Sequence, residues 1–257
     1  MEINLFPKFL DEAVMPVAKK AGSTLSSIWT IAFGGIDIYA EKTQLKRVHA
    51  LNQFKDELEQ AVSSIPEENI IEPPLHIVGP SLEASKYYFE SDELRTMFAQ
   101  LIASSINRET TDKVHPSFVE IIKQLSTLDA LNLKLFKVKK TYPIGRIDFT
   151  SSDGGSAPYK THVFLENEEV LDIESNATSI SNLDRLGLVT ISYERHLADI
   201  TLYEKYKNHP DYQEVTNQLK EHNANLDTSS IQYENTEIKK GLVSLTPLGE
   251  NFIKICI

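Results

Sequence analysis

The chain has 257 residues, enough for one large domain or two small ones with separate cores. Apolar residues at 41% and charged residues at 25% are globular proportions, which excludes wholesale disorder. A net charge of -11 argues against a protein that coats nucleic acid, and the single cysteine, Cys256, excludes an intramolecular disulfide framework and fits a reducing cytoplasm.

The first residues, MEINLFPKFLDE, are acidic and lack the cationic opening of a secretory signal. Asp11–Lys20 and Ser23–Phe33 read as a pair of helices, with Gly22 as the break and Ser23 as the cap of the second. The second is apolar almost all round through Ile28, Trp29, Ile31, Ala32 and Phe33, which calls for deep burial or an apolar partner. Residues 25–40 are therefore the one stretch suited to peripheral membrane contact. They are too polar for a span, holding Ser, Thr and Asp and the Gly34-Gly35 pair. Glu41–Ser63 predicts a long helix with Leu45, Val48, Leu51, Phe54, Leu58 and Val62 on one stripe.

Pro66 and the Pro73-Pro74 pair make residues 65–75 an extended connector. The segment LHIVG follows, and after Gly79-Pro80 a helix Leu82–Phe89 is predicted with Ser81 as its cap. Ser91 opens the next helix, with Asp92 and Glu93 at the positive end of its dipole and an apolar face running to Asn107. A loop at 108–113 separates it from a helix that Pro116 starts and that runs through Phe118, Ile121, Ile122 and Leu125. Leu128–Lys140 predicts a further helix with the basic end KVKK. Residues 141–175 read as loop or turn around Ser151–Ser156.

The remainder has the order of a winged helix. A helix over Ser179–Leu186 leads to a strand at Val189-Thr190-Ile191; a strand LVSLT and a closing helix follow. Residues 204–238 form an elaborated wing or inserted helix. The expected fold is mainly α, a helical N-terminal domain followed by a winged-helix-like α+β C-terminal domain. The divisions are 1–75, 76–125 and 126–257.

The block LIASSIN, VHPSF, EIIKQLS and DALNLKLF within Glu90–Phe136 resembles the abortive infection alpha family. The similarity extends to EPPLHIVGPSLEASKYYF, NLDRLGLV, LTPLGENFI and AKKAGSTLSSIW. The resemblance implies a predominantly helical intracellular protein of bacterial or prophage origin with a role in phage resistance. It implies no reaction.

No metal, cofactor or nucleophile motif stands out. The seven histidines are scattered, and there is no phosphate-binding loop. His196 and Asp199, one helical turn apart, read as surface polarity, and Tyr87, Tyr88 and Phe89 as packing. His115, ahead of Pro116, is a candidate polar site, and its simpler role is to cap the helix that follows. Asn182 and Arg185 are the two donors a recognition helix would offer. From Asn176 onward, however, eight Lys/Arg face eleven Asp/Glu, so nucleic acid is a poor fit. Trp29, Phe33, Asn182 and Arg185 are thus the candidate interaction residues, for a protein partner or self-association. The residues favour a non-enzymatic interaction or sensor component. Two alternatives stay open: a toxic effector, acting at the membrane through residues 25–40 or as a hydrolase, and a winged-helix transcriptional regulator.

Overall fold

The computed structural model describes residues 7–34, 42–226 and 232–257. Two compact units divide the chain, Met1–Ala130 with Asn251–Ile257, and Leu131–Glu250. The first is helical; the second carries an antiparallel sheet of four strands.

In the first unit, helix α1 runs unbroken from Pro16 to Phe33, so the expected break at Gly22 is corrected. Gly22 serves a close approach instead: a Cβ there would fall on the Phe9 carbonyl and within 2.9 Å of the Leu10 Cβ. Helix α2, Lys42–Ser63, buries Val48, Leu51, Phe54, Leu58 and Val62 as its stripe predicts. Residues 35–41, with Gly35, and the Leu45 side chain lie outside the described residues.

The connector holds a 3-10 turn at Glu67–Asn69, and Ile70 bridges to Asn107. Helix α3 then spans Leu75–Ser85, passing through Gly79 and Pro80 where a break was expected. A proline there deprives the His76 carbonyl of its helical donor, and both His76 and Pro80 are exposed. Ser81 is consequently no cap; its hydroxyl donates to the Ile77 carbonyl at 2.7 Å. Tyr87 is exposed rather than packed, whereas Phe89 is buried.

Helix α4 spans Asp92–Ser105 and α5 Ser117–Ile122, each ending earlier than its apolar pattern suggests. The end of the chain completes this unit. Phe252 meets Phe118 edge-on at 5.2 Å, Asn251 Nδ2 donates to the Lys113 carbonyl at 2.7 Å, and Ser104 Oγ donates to the Ile255 carbonyl at 3.1 Å.

Helix α6, Thr127–Leu135, stops before the basic KVKK. The Tyr142 hydroxyl donates to the Leu135 carbonyl at 2.8 Å, closing the helix end against the first strand. That strand, β1 (Thr141–Thr150), and β2 (Ser156–Val163) form a hairpin where loop was expected. Ser151–Gly155 is its turn. Helix α7 (Ile173–Arg185) and β3 (Val189–Ser192) follow, then α8 (Glu204–Asn208), α9 (Pro210–Ala224), β4 (Asn235–Leu245) and α10 (Pro247–Cys256). The sheet order is β2-β1-β4-β3, so β1 and β4 are central.

Pro143 sits in a central strand without losing a ladder bond to β4. Its carbonyl accepts from the Tyr206 hydroxyl at 2.9 Å, and the N and O of one strand residue point the same way, here away from β4. On β2 the pairing begins only at Gly145 opposite Val163. One face of the sheet is covered by a cluster of Ile147, Val163, Ile173, Tyr203, Tyr206, Val215 and Ile238. Elsewhere in this unit Asn132 is fully buried and satisfied. It donates to Asn176 Oδ1 at 3.1 Å and Ser179 Oγ at 2.9 Å, and accepts from Asn167 Nδ2 at 2.7 Å.

Candidate functional site

The residues singled out by sequence do not converge. Trp29 is 1% exposed and packs 4.4 Å from Phe33 and 5.4 Å from Phe54, centroid to centroid, with Phe9 edge-on at 5.9 Å. Both Trp29 and Phe33 face inward. No helix of the described residues is long and apolar enough to cross a membrane.

His115 Nδ1 accepts from the Ser117 amide at 3.1 Å and lies 2.7 Å from its hydroxyl, capping α5. The second His-Pro pair does the same, with the Asp211 amide 3.3 Å from His209 Nδ1 at the start of α9. Arg185 donates to Asn182 Oδ1 through Nε at 3.1 Å and Nη2 at 2.7 Å, so these two donors on α7 are turned toward each other. His196 and Asp199 share no helix; Asp199 accepts from the Thr201 amide at 3.0 Å and opens a 3-10 turn.

A concave feature with converging polar groups lies in the second unit, where the sequence had offered only a turn at Ser151–Ser156 and surface polarity at His196. It is a cleft of about 750 Å³ over the sheet face opposite the Tyr206 cluster. Asp148 from β1 and Glu237 and Lys239 from β4 line its floor; Ser151–Ser156 and Tyr193–His196 flank it.

Two glycines make this geometry. Gly145 on β1 admits Tyr206 from one face, since a Cβ would lie 2.5 Å from the ring; Gly241 on β4 admits Tyr193 from the other, at 2.7 Å. Tyr193 therefore lies flat across the sheet. Its hydroxyl accepts from the His162 amide at 3.0 Å and donates to the Gly145 carbonyl at 3.2 Å. The β1–β2 pairing is irregular here, with His162 in a left-handed conformation (φ 56°).

Arg146 stands over the Tyr193 ring, 5.1 Å from its centroid, and grips Asp148 bidentately, Nε–Oδ1 2.6 Å and Nη2–Oδ2 2.7 Å. The hydrogen bonding that Arg146 donates to Asp148 holds it above its ordinary pKa against the cost of burial. Burial pushes the Tyr193 phenol up to about 12, although the His162 amide and Arg146 oppose this. Tyr193 is thus a neutral, fixed hydrogen-bonding group. His196 places Nδ1 2.9 Å from the Leu197 carbonyl, which can only accept, so Nδ1 carries the proton.

Directly across the ladder, Arg146 faces Lys239 and Asp148 faces Glu237. The floor is therefore two cations beside two anions, with one salt bridge already closed. Such a floor can orient a polar partner. The Asp148 carboxylate is taken up by Arg146 and is not free to act on a ligand.

The Ser181–His162 contact, Oγ to Nδ1 2.8 Å, lies away from this floor, and the same hydroxyl donates to the Ala177 carbonyl of its own helix at 2.7 Å. Burial holds the His162 imidazole below its ordinary pKa, with Asp184 partly opposing. Among the described residues, no group of three or more His, Cys, Asp or Glu is placed to hold a metal ion.

Sequence reading missed the cleft because its residues come from three separate segments, 148–156, 193–196 and 237–240. The signal available was the pair of short β-patterned runs around Ser151–Gly155, a hairpin signature.

Comparison with known proteins gives one result. The family model described as abortive infection alpha matches residues 46–256, and no curated protein or solved structure matches the chain. With most of its length matched, from the second turn of α2 through α10, the chain belongs to the abortive infection alpha family.

Proposed function

We propose that this chain is a non-enzymatic interaction or sensor component of a phage-defence system of the abortive-infection type, and that its second unit is the contact module. Membership of the family supports the setting. The observation that carries the molecular reading is the cleft: an open surface of fixed polar groups whose one buried carboxylate, Asp148, is bound by Arg146. The order α7, β3, β4, α10 supports a winged-helix-like contact module, with β1 and β2 adding a hairpin to the usual wing. Wings of this kind serve protein contacts without a basic surface, which suits the acidic balance of the C-terminal half.

The test is protection against phage. Cells expressing the wild-type chain are challenged beside cells expressing Asp148→Asn with Arg146→Gln, which removes the charges and keeps the shapes. The reading expects folded protein and lost protection from the variant. Full protection by a folded variant would move the functional surface elsewhere.

A further inference from the structure

Strand β4 is longer than one of its neighbours. β1 pairs with it from Asn235 to Ser244, whereas β3 ends with Ser192 opposite Leu242. From Asn235 to Gly241, no strand among the described residues covers the other side.

The direction of the peptide groups follows from two bonds. Leu245 donates to the Lys140 carbonyl on the β1 side at 2.9 Å, and Thr246 donates to the Leu188 carbonyl on the β3 side at 3.1 Å. In an antiparallel ladder these directions alternate. The peptide groups of Thr236, Ile238 and Lys240 therefore point to the open side. Thr236 O is met there by the Tyr212 hydroxyl at 3.0 Å. The cleft lies alongside, with Ile238, Lys239 and Lys240 among its lining.

The side chains add a second observation. Glu237 and Lys239 are exposed, on the cleft face, and each stands opposite its own charge on β1. Like charges directly across a ladder are unfavourable. Arg146 and Asp148 satisfy each other, and Glu237 and Lys239 have no ion pair among the described residues. An incoming strand can supply what is missing.

We infer that this edge pairs with the same edge of a second copy of the chain, antiparallel about a two-fold axis at Ile238. This deepens the proposed function, on which it rests, by naming the partner and the surface. In that register Glu237 faces the partner's Lys239 and Lys239 faces the partner's Glu237. Both pairs fall at non-hydrogen-bonded positions, where opposing side chains are closest. Ile238 and the Thr236–Lys240 pairs carry the main-chain bonds, with the Thr236 carbonyl shared between the partner's Lys240 amide and the Tyr212 hydroxyl. The alternative axes are self-defeating: centring on Glu237 sets Glu against Glu, and centring on Lys239 or Lys240 sets Lys against Lys. The interface is isologous and closes at two copies, which also removes an exposed strand edge.

Sedimentation equilibrium of the full-length chain tests this. The wild type is expected to show a concentration-dependent dimer. Lys239→Glu alone and Glu237→Lys alone should each weaken it by about tenfold, since each turns both symmetry-related attractions into repulsions. Neither should harm the fold, because each places an opposite charge across from Arg146 or Asp148; circular dichroism checks this.

An equimolar mixture of the two single variants should form a heterodimer, and the double swap E237K/K239E should dimerise like the wild type. A wild type that stays monomeric overturns the pairing, as does a dimer indifferent to both single changes or a mixture that stays monomeric. A monomeric wild type that still protects against phage leaves the interaction reading standing. A dimer that behaves as stated in a chain without protection keeps the pairing and removes that reading.

Discussion

Arg95 on α4 donates through Nη2 to Glu57 on α2 at 2.7 Å, and its side chain is 5% exposed. The same guanidinium reaches Asp92 at 2.8 Å and the Phe89 carbonyl at 3.2 Å, so four acceptor contacts surround one buried cation. Burial opposes its charge, but the hydrogen bonds it donates to Glu57 and Asp92, with their negative charges, outweigh this and raise its pKa. Arg95→Ala is expected to destabilise the first unit by about 2–3 kcal/mol, since Glu57 is part-exposed and recovers some hydration. Urea unfolding followed by the emission of Trp29, the single tryptophan, reads this unit selectively. A change under about 0.5 kcal/mol would mean the pair behaves as a surface one.

In the second unit, Asn132 is the hub of a satisfied polar network. Asn132→Leu leaves the Asn176 carbonyl oxygen and the Asn167 amide without their partner. A loss of about 2–4 kcal/mol is expected, more than a neutral volume change would cause. Far-UV circular dichroism against urea gives the number. An unchanged midpoint would show that water enters to replace the hub.

Gly241→Ala should displace Tyr193, because the added methyl group meets both the ring and the Ser192 carbonyl at 2.6 Å. Tyr193→Phe removes only the hydroxyl bridging His162 and Gly145, for about 1–2 kcal/mol. The ordering, with alanine the more damaging, distinguishes ring placement from hydrogen bonding. Equal effects would contradict the close approach.

His162 gives the second unit a pH dependence with a definite sign. Burial lowers its folded-state pKa, so the unfolded chain takes up the proton first as pH falls. The stability associated with the neutral imidazole is present above the unfolded value of about 6.5 and is lost as pH drops from there toward the folded value. His162→Asn keeps a residue that tolerates the left-handed backbone and removes the titration. The urea midpoint should fall less between pH 7.5 and 5.5 in the variant than in the wild type. The same fall in both would exclude His162 as the source.

Legibility in the sequence followed the number of covered faces. Helix α2 buries one stripe, and the 3.6-residue rhythm of Val48, Leu51, Phe54, Leu58 and Val62 shows it. The order α7, β3, β4, α10 was legible for the same reason. β1 was not. Tyr142 and Ile144 are buried on one face and Ile147 on the other, so the strand has no simple alternation, and Pro143 and Gly145 disguise it further. Gly22 and Pro80 misled in the opposite direction: both sit inside helices, one at a close approach and one on an exposed turn. The cleft needed the fold, because Arg146, Tyr193 and Lys239 meet only through strand pairing.

The first unit is discontinuous in the chain, and this bears on how the protein is made. Residues 1–130 emerge from a ribosome long before Phe252, which meets Phe118, and before Asn251 and Ile255, which bond to Lys113 and Ser104. Their core stays open until translation has passed through the whole sheet-bearing unit to residues 251–257. A frameshift, a premature stop or a protease cut near the C-terminus therefore strikes the amino-terminal half of the molecule, more than a hundred residues upstream.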